Sequence, residues 1–187
     1  MTVDENRHIY LEPLTEDHVT ETYINWLNDP ETVQFTEQRF TINSLATTLR
    51  YVQKSIMSDD ECMFAILVGK THIGNIKVGP INKNHKFAHI SYFIGNTNYR
   101  GLGIATKTIE KVLEFCFSEL KLNKVCAQYY SNNQASGRVL EKCGFTVEGH
   151  RKNQFVFETG MVDEILVGIE SQIFKNKHLN TDVHLSV

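Results

Sequence analysis

Between residues 88 and 120 the chain runs from a β-prone stretch, through two glycines, into a helix. Ala88 to Gly95 is apolar, Arg100-Gly101-Leu102-Gly103 follows, and Ala105, Ile109, Val112, Leu113, Cys116, Phe117 and Leu120 then recur at helical spacing. Glycines ahead of a helix let the main chain approach an anion, and the first-turn N–H groups with the helix dipole favour a phosphate there. Arg100 adds positive charge. A tight strand-to-helix turn also uses glycine for conformation alone, so the loop by itself leaves both readings open. A P-loop is excluded because Thr106-Lys107-Thr108 lacks the glycine before the lysine, and a dinucleotide fingerprint needs a third glycine where Thr106 stands.

The rest of the chain sets this turn in a mixed layer fold. An alternating start at His8–Leu11 precedes Thr15, which is positioned to cap a helix carrying Val19, Tyr23, Trp26 and Leu27 and stopped by Asn28-Asp29-Pro30. Leu45, Leu49, Val52 and Ile56 mark a second helix, and the aperiodic stretch Glu31 to Phe40 between the two is a candidate substrate loop. Cys62–Val68 and Ile73–Val78 read as a hairpin, Lys124–Tyr130 as a strand, Ser136–Cys143 as a short helix ended by Gly144, and Phe155–Phe157 with Val162–Ile169 as the last strands. The order predicts an α/β (α+β) architecture rather than a regular βαβ repeat. One domain over residues 1–175 is expected, followed by a polar, loosely ordered tail at 176–187.

Charge narrows the partners. Lys and Arg number 19 against 22 Asp and Glu, a net charge of −3, which lacks the basic excess that phosphate-backbone binding needs, so nucleic acid is not expected. The longest apolar run, Met63–Val68, is far short of a membrane span, and the polar start MTVDENRHIY has no secretory core, so a cytoplasmic protein with no membrane partner is expected. Cys62, Cys116, Cys126 and Cys143 are widely spaced and read as buried, reduced thiols, with neither a disulfide framework nor a metal site.

Arg100-x-x-Gly103-x-Ala105, with Asn133-x-x-Ser136 and Cys143-Gly144-Phe145 downstream, resembles the GNAT superfamily of acetyl-CoA-dependent N-acetyltransferases. The resemblance runs from about His8 to Ile169. Tyr10-Leu11-Glu12-Pro13-Leu14, Trp26-Leu27-Asn28-Asp29-Pro30 and Glu141 to Gly149 look like the branch holding ribosomal-protein N-terminal and nucleotide-amino-sugar acetyltransferases. It implies a mostly antiparallel central sheet, flanked by helices and split between two parallel strands, here Ala88–Gly95 and Lys124–Tyr130. The cofactor implied is acetyl-CoA. Its pantetheine arm would pair with the backbone of Phe93, Ile94 and Gly95, and its pyrophosphate would rest on Arg100, Gly101, Leu102, Gly103, Ile104, Ala105 and Thr106. Asn133 would meet the pantetheine or its water, and Arg138 and Lys142, four apart on the short helix, would turn toward the nucleotide phosphates.

Direct attack of an amine on a thioester needs a base, an oxyanion donor and an acid for the leaving sulfur. A backbone N–H near Ile94 is the simplest oxyanion donor, and His89, near the start of the strand that leads to the cofactor, is the candidate base, against the plainer reading of a structural histidine. Many relatives carry a carboxylate there. The tyrosine that numerous members place seven residues after the helix-leading asparagine is replaced by Leu140, leaving Ser136 as the candidate acid or as a helix cap. The resemblance sets Trp26, Phe35, Glu37 and Arg39 over the acceptor cleft, although a lone tryptophan on an apolar stripe also reads as core.

The acceptor expected is a small-molecule primary amine, a nucleotide-linked amino sugar first, with protein or peptide N-terminal acetylation as the alternative and small polyamine or antibiotic acceptors behind. Arg39, Lys83, His85 and Lys86 suit a phosphorylated acceptor, while Glu31, Glu37, Asp59, Asp60 and Glu61 suit a cationic one, so charge leaves both open. A non-catalytic acyl-CoA-binding module is a further reading, favoured by the missing tyrosine. Phe155, Val156, Phe157 and Met161 make a homodimer through the last strands a further expectation.

Overall fold

Thr20, rather than Thr15, begins the first α-helix. In the computed structural model, which describes residues 8–182, the Thr15 hydroxyl and N–H both meet Nδ1 of His18, and this closes a single 3-10 turn at Glu16–His18. Thr20 then accepts from the N–H of Tyr23 at 3.3 Å, and α1 (Glu21–Asn28) follows. Asp29 ends α1 and caps α2 (Pro30–Val33), with Pro30 in the first turn, where its missing N–H is no loss. Ser44 and Thr47 form a reciprocal capping box at the head of α3 (Leu45–Ile56).

The chain divides into two compact units: residues up to Pro80 with Ser91–Thr108, and Ile81–Ile90 with the chain from Ile109 onward. In the first, β1 (Ile9–Pro13) pairs antiparallel with β2 (Cys62–Val68), and β2 with β3 (Thr71–Asn82) across the turn at Gly69, whose φ of +61° favours glycine. β4 (Phe87–Ile94) lies next to β3, and its last four residues belong to this unit. Leu14, Val19, Tyr23, Trp26, Leu27, Val52, Ala65 and Leu67 form the core, with Leu49, Met63 and Phe93 packed on it. Every third or fourth residue of α1 and α3 therefore faces the sheet, which is what the periodicity demands.

In the second unit the strand order is β4, β5 (Lys124–Tyr130), β7 (Gly160–Glu170) and β6 (Thr146–Phe157). The start of β4 pairs parallel with β5 over three positions only, Phe87↔Lys124, Ala88↔Val125 and His89↔Cys126, while β5 pairs antiparallel with β7 along its whole length. Ala88, Ile90, Val125 and Ala127 are buried, and Phe87, His89, Lys124 and Cys126, which alternate with them, are partly exposed. α4 (Ile104–Ser118) buries Ile109, Val112, Leu113 and Cys116. α5 (Gln134–Cys143) ends at Gly144, in the left-handed conformation at φ +99°, as expected. The result is a mixed α/β fold, antiparallel but for β4 and β5, with helices on the strands.

Two elements differ from expectation. β6 begins at Thr146, not Phe155, because an edge strand exposed on both faces needs no apolar alternation to pair through its backbone. The expected loose tail from residue 176 is helical as far as it is described, since α6 spans Ser171–Asp182; residues 183–187 lie outside the described residues. Cys116 and Cys143 are buried, whereas Cys62 and Cys126 are only half-buried, a correction to the expectation of four buried thiols. No described helix is long and apolar enough to cross a membrane.

Candidate functional site

In the first unit the glycine loop is built directly on the end of β4. The N–H groups of Gly95 and Asn96 both donate to the Ile73 carbonyl, at 2.8 and 3.0 Å, and the Asn96 side chain caps a 3-10 turn at Thr97–Tyr99. Gly101 and Gly103 then adopt φ +73° and +74°, and a Cβ built on either meets nothing within 4 Å. The glycines serve the backbone and not packing, and the space in front of them is open. Left-handed glycines on either side of Leu102 leave the main chain open to close approach, and α4 adds the first-turn N–H groups that a helix cannot pair within itself. The chemistry and the open space fit the pyrophosphate of a coenzyme A.

Arg100 is not the unengaged phosphate ligand that its place in the motif suggests. Its Nε donates to the Ile94 carbonyl at 3.0 Å, Nη2 to the Thr32 hydroxyl at 2.8 Å, and Nη1 to the Glu31 carboxylate at 3.2 Å. Trp26 is likewise drawn inward. It is 9% exposed, and a Cβ on Gly95 would lie 2.2 Å from its ring. Its ring fills the space against the strand end that only a glycine leaves, as the core reading of a tryptophan on an apolar stripe expects.

The candidate substrate loop is more ordered than its lack of period suggests. Asn28 donates to the Asn43 carbonyl and accepts from the Asn43 N–H, both at 2.8 Å, so two asparagines close the loop at its base. Asp29 accepts from the N–H of Thr32 at 2.9 Å and from its hydroxyl at 2.5 Å, and chiefly this hydroxyl holds the Asp29 carboxyl below the usual range. Phe35 is half-buried, Glu37 is exposed, and Arg39 folds back onto the Gln34 carbonyl at 3.3 Å with its guanidinium 4.6 Å from the Phe40 ring centre.

Beneath α1 lies a polar cluster that the sequence did not flag. Nε2 of His72 meets the Gly74 carbonyl at 3.0 Å and Asn75 Oδ1 at 2.8 Å, and the imidazole packs edge-on against Tyr23, Trp26 and His18. Burial lowers the His72 imidazole and raises the Tyr23 phenol from their ordinary values. A lone histidine just past a hairpin turn carries no signal of such surroundings.

In the second unit, His89 is half-buried on the same face of β4 as Phe87, whose ring stands edge-on to it at 6.0 Å. Asn133, not Ser136, caps α5: its side chain accepts from the Ser136 N–H at 3.2 Å. This corrects the capping reading of Ser136, whose hydroxyl stands in the first turn and half-buried. Leu140, at the position of the family's tyrosine, is fully buried. Arg138 and Lys142 are exposed. Among the residues suggested for a dimer, Val156 and Met161 are exposed, while Phe155 and Phe157 pack edge-on against Tyr130.

A strand running into a left-handed glycine pair and then a helix, in a sheet antiparallel save for one short parallel ladder, is a frame suited to holding the phosphates of an acyl-coenzyme A donor. Residues 8–146 match the acetyltransferase (GNAT) domain, and the chain belongs to that family. It is an N-acetyltransferase using acetyl-CoA. It is 31% identical over 157 residues to the probable N-acetyltransferase YjcK of Bacillus subtilis, covering 78% of this chain and 84% of that one. It is 29% identical over 111 residues to the spermidine N(1)-acetyltransferase of Vibrio cholerae, covering 59% and 61% of the two chains. The crystal structure of spermidine N-acetyltransferase from Vibrio cholerae in complex with CoA and spermine superposes with a TM-score of 0.82 over 91% of this chain and 99% of that one, at 22% identity. These relatives favour neither the ribosomal-protein nor the amino-sugar branch.

Proposed function

We propose that the protein acetylates a primary amine of a small molecule, a cationic polyamine before a nucleotide-linked amino sugar. The observation that carries this is the charge shown by the loop closed by Asn28 and Asn43. That loop carries Asp29, Glu31 and Glu37 against Arg39, with Glu31 and Glu37 exposed, so its charge toward an acceptor is net negative even with Arg100 beside Glu31. The similarity to spermidine acetyltransferases supports the same reading. An amino-sugar nucleotide is the second reading, favoured by the exposed Lys83, His85 and Lys86 in the β3–β4 turn.

Acetyl-CoA supplies an activated thioester, and the chain's own groups do the rest. Gly101 to Thr106 hold the pyrophosphate through main-chain N–H groups. Residues of a strand alternate in the plane of the sheet, and the Gly95 N–H points to β3, so the Ile94 N–H points to the opposite edge, where it donates to the thioester oxygen as negative charge develops. Phe93 to Gly95 present the strand backbone to the pantetheine arm. His89 takes the proton of the attacking amine and the Ser136 hydroxyl gives one to the leaving sulfur. Asn133, Arg138 and Lys142 complete the cofactor contacts.

Free-thiol release from acetyl-CoA is the test, with spermidine and spermine, UDP- and dTDP-linked amino sugars, and N-terminal peptides as acceptors. Turnover on the polyamines is expected. Turnover only on sugar nucleotides would move the protein to the second reading, turnover only on peptides would overturn both, and tight CoA binding with no turnover on any amine would make it a binding module.

A further inference from the structure

The three hydrogen bonds of Arg100 go to three different pieces of the first unit. Nε holds the carbonyl of the Ile94–Gly95 peptide, whose N–H is held from its other side by Ile73 at 2.8 Å. Nη2 donates to the Thr32 hydroxyl, which in turn donates a hydrogen bond to Asp29 Oδ2, so the direction of the chain from guanidinium to hydroxyl to carboxylate is fixed. Nη1 meets Glu31. Thr32 is 9% exposed and carries the first turn of α2, and Asp29 caps that turn. Because Arg100 is also the residue from which the glycine loop departs, one side chain ties the donor's loop, the strand end and the opening of the acceptor loop together.

We propose that Arg100 is a positioning residue that seats the loop from Asp29 to Asn43 on the strand end, so that the acceptor's contacts are set by the same element that carries the pyrophosphate loop. The inference rests on the reading of the glycine loop as the coenzyme A site. It departs from an expectation of direct phosphate binding, since the guanidinium is occupied by Ile94, Thr32 and Glu31. The fork of donors is essential: a lysine at the same place has one nitrogen and cannot reach a carbonyl and a hydroxyl in separate directions at once. Of the three contacts, the one to Glu31 is solvent-screened and contributes least, because that carboxylate is 72% exposed.

The test uses the full chain with Arg100→Lys, Thr32→Val, the double variant and Glu31→Gln. Kd for coenzyme A is measured by calorimetry, KM for the acceptor found in the panel by thiol release, and amide hydrogen exchange over residues 29–43 on the protein without ligand. Arg100→Lys and Thr32→Val should each raise acceptor KM by about 10-fold and speed exchange across residues 29–36, while Kd for coenzyme A changes by less than about 3-fold. The double variant should add little to either single one, since both cut the same connection. Glu31→Gln should change exchange across residues 29–36 by less than about 2-fold, because its contact to Arg100 is solvent-screened. A large loss of coenzyme A affinity in Arg100→Lys with exchange and acceptor KM unaltered would make Arg100 a phosphate ligand and overturn the proposal; so would additive effects. Thr32→Val leaves the arginine in place and guards against a lysine variant that fails to fold. If the wild-type chain bound no coenzyme A, the reading of the site would fall, and the exchange rates of the free protein would still decide the connection.

Discussion

Replacing Gly95 by alanine should unseat the first helix. The added Cβ would lie 2.2 Å from Trp26 Cδ2 and 2.4 Å from Cε3, against the roughly 3.5 Å at which carbon atoms come into contact, so the indole must retreat by about 1.3 Å. The ring has little room to do so, being packed on Tyr23 and His72 with centroids 6.3 and 5.2 Å away. Overpacking a closed site in this way costs about 3 kcal/mol. In a chain of this size that corresponds to a fall in Tm of roughly 6–12 °C. Urea unfolding of Gly95→Ala, of Trp26→Leu and of the double variant measures it. Trp26→Leu alone leaves a void and costs about 2–3 kcal/mol, but the alanine methyl occupies part of that void, so the double variant should be more stable than the sum by about 2 kcal/mol. Costs that add within about 0.5 kcal/mol would show that the two residues do not share the space, and would refute the argument.

Three further outcomes follow from the geometry. Gly103→Glu places a carboxylate at a backbone with φ +74° and in front of the phosphate cradle, and should abolish coenzyme A binding in calorimetry; undiminished affinity sinks the loop assignment. Ser136→Ala should lower kcat while Kd for coenzyme A and Tm hold, because Asn133 and not Ser136 caps the helix; equal loss of Tm and kcat would return Ser136 to a structural role. Burial holds His72 below its ordinary value, so the unfolded chain takes up the proton first on acidification: the stability due to the neutral ring is full above about pH 6.5 and is lost as pH falls from there through the lower folded value. Urea midpoints at about pH 7.5 and about pH 5.5 should therefore differ less in His72→Gln than in wild type, and an equal difference would remove His72 from the account; Asp29 and Glu61, also lowered, act only at more acid pH.

What the sequence disclosed was what burial or a special φ writes into it. The stripe of α4, the span of β5 and the Gly144 cap each match the structure because apolar spacing or left-handed glycine admits few alternatives. The glycine loop was legible for the same reason. β6 was not, since Glu148, His150, Arg151 and Lys152 line an edge strand held by main-chain pairing and by ion pairs such as Arg151 to Glu164. Thr15 and Thr20 are equally good caps by residue type, and only the His18 ring beside Thr15 decides between them. The guanidinium of Arg100 shows as charge in a sequence, while two of its three partners lie 68 and 69 positions away and leave no local trace.

The paired hydrogen bonds between Asn28 and Asn43 bear on how such an enzyme changes its acceptor. They staple positions fifteen residues apart, and α1 ends and α3 begins just outside them. Residues between the staple can therefore be exchanged as a cassette, provided Asp29, Thr32 and the buried Val33 are kept, without disturbing the helices on which the core depends. Under the proposed reading of this loop as the acceptor's, a library confined to positions 34–42 would explore amine selectivity with the buried Val33 kept.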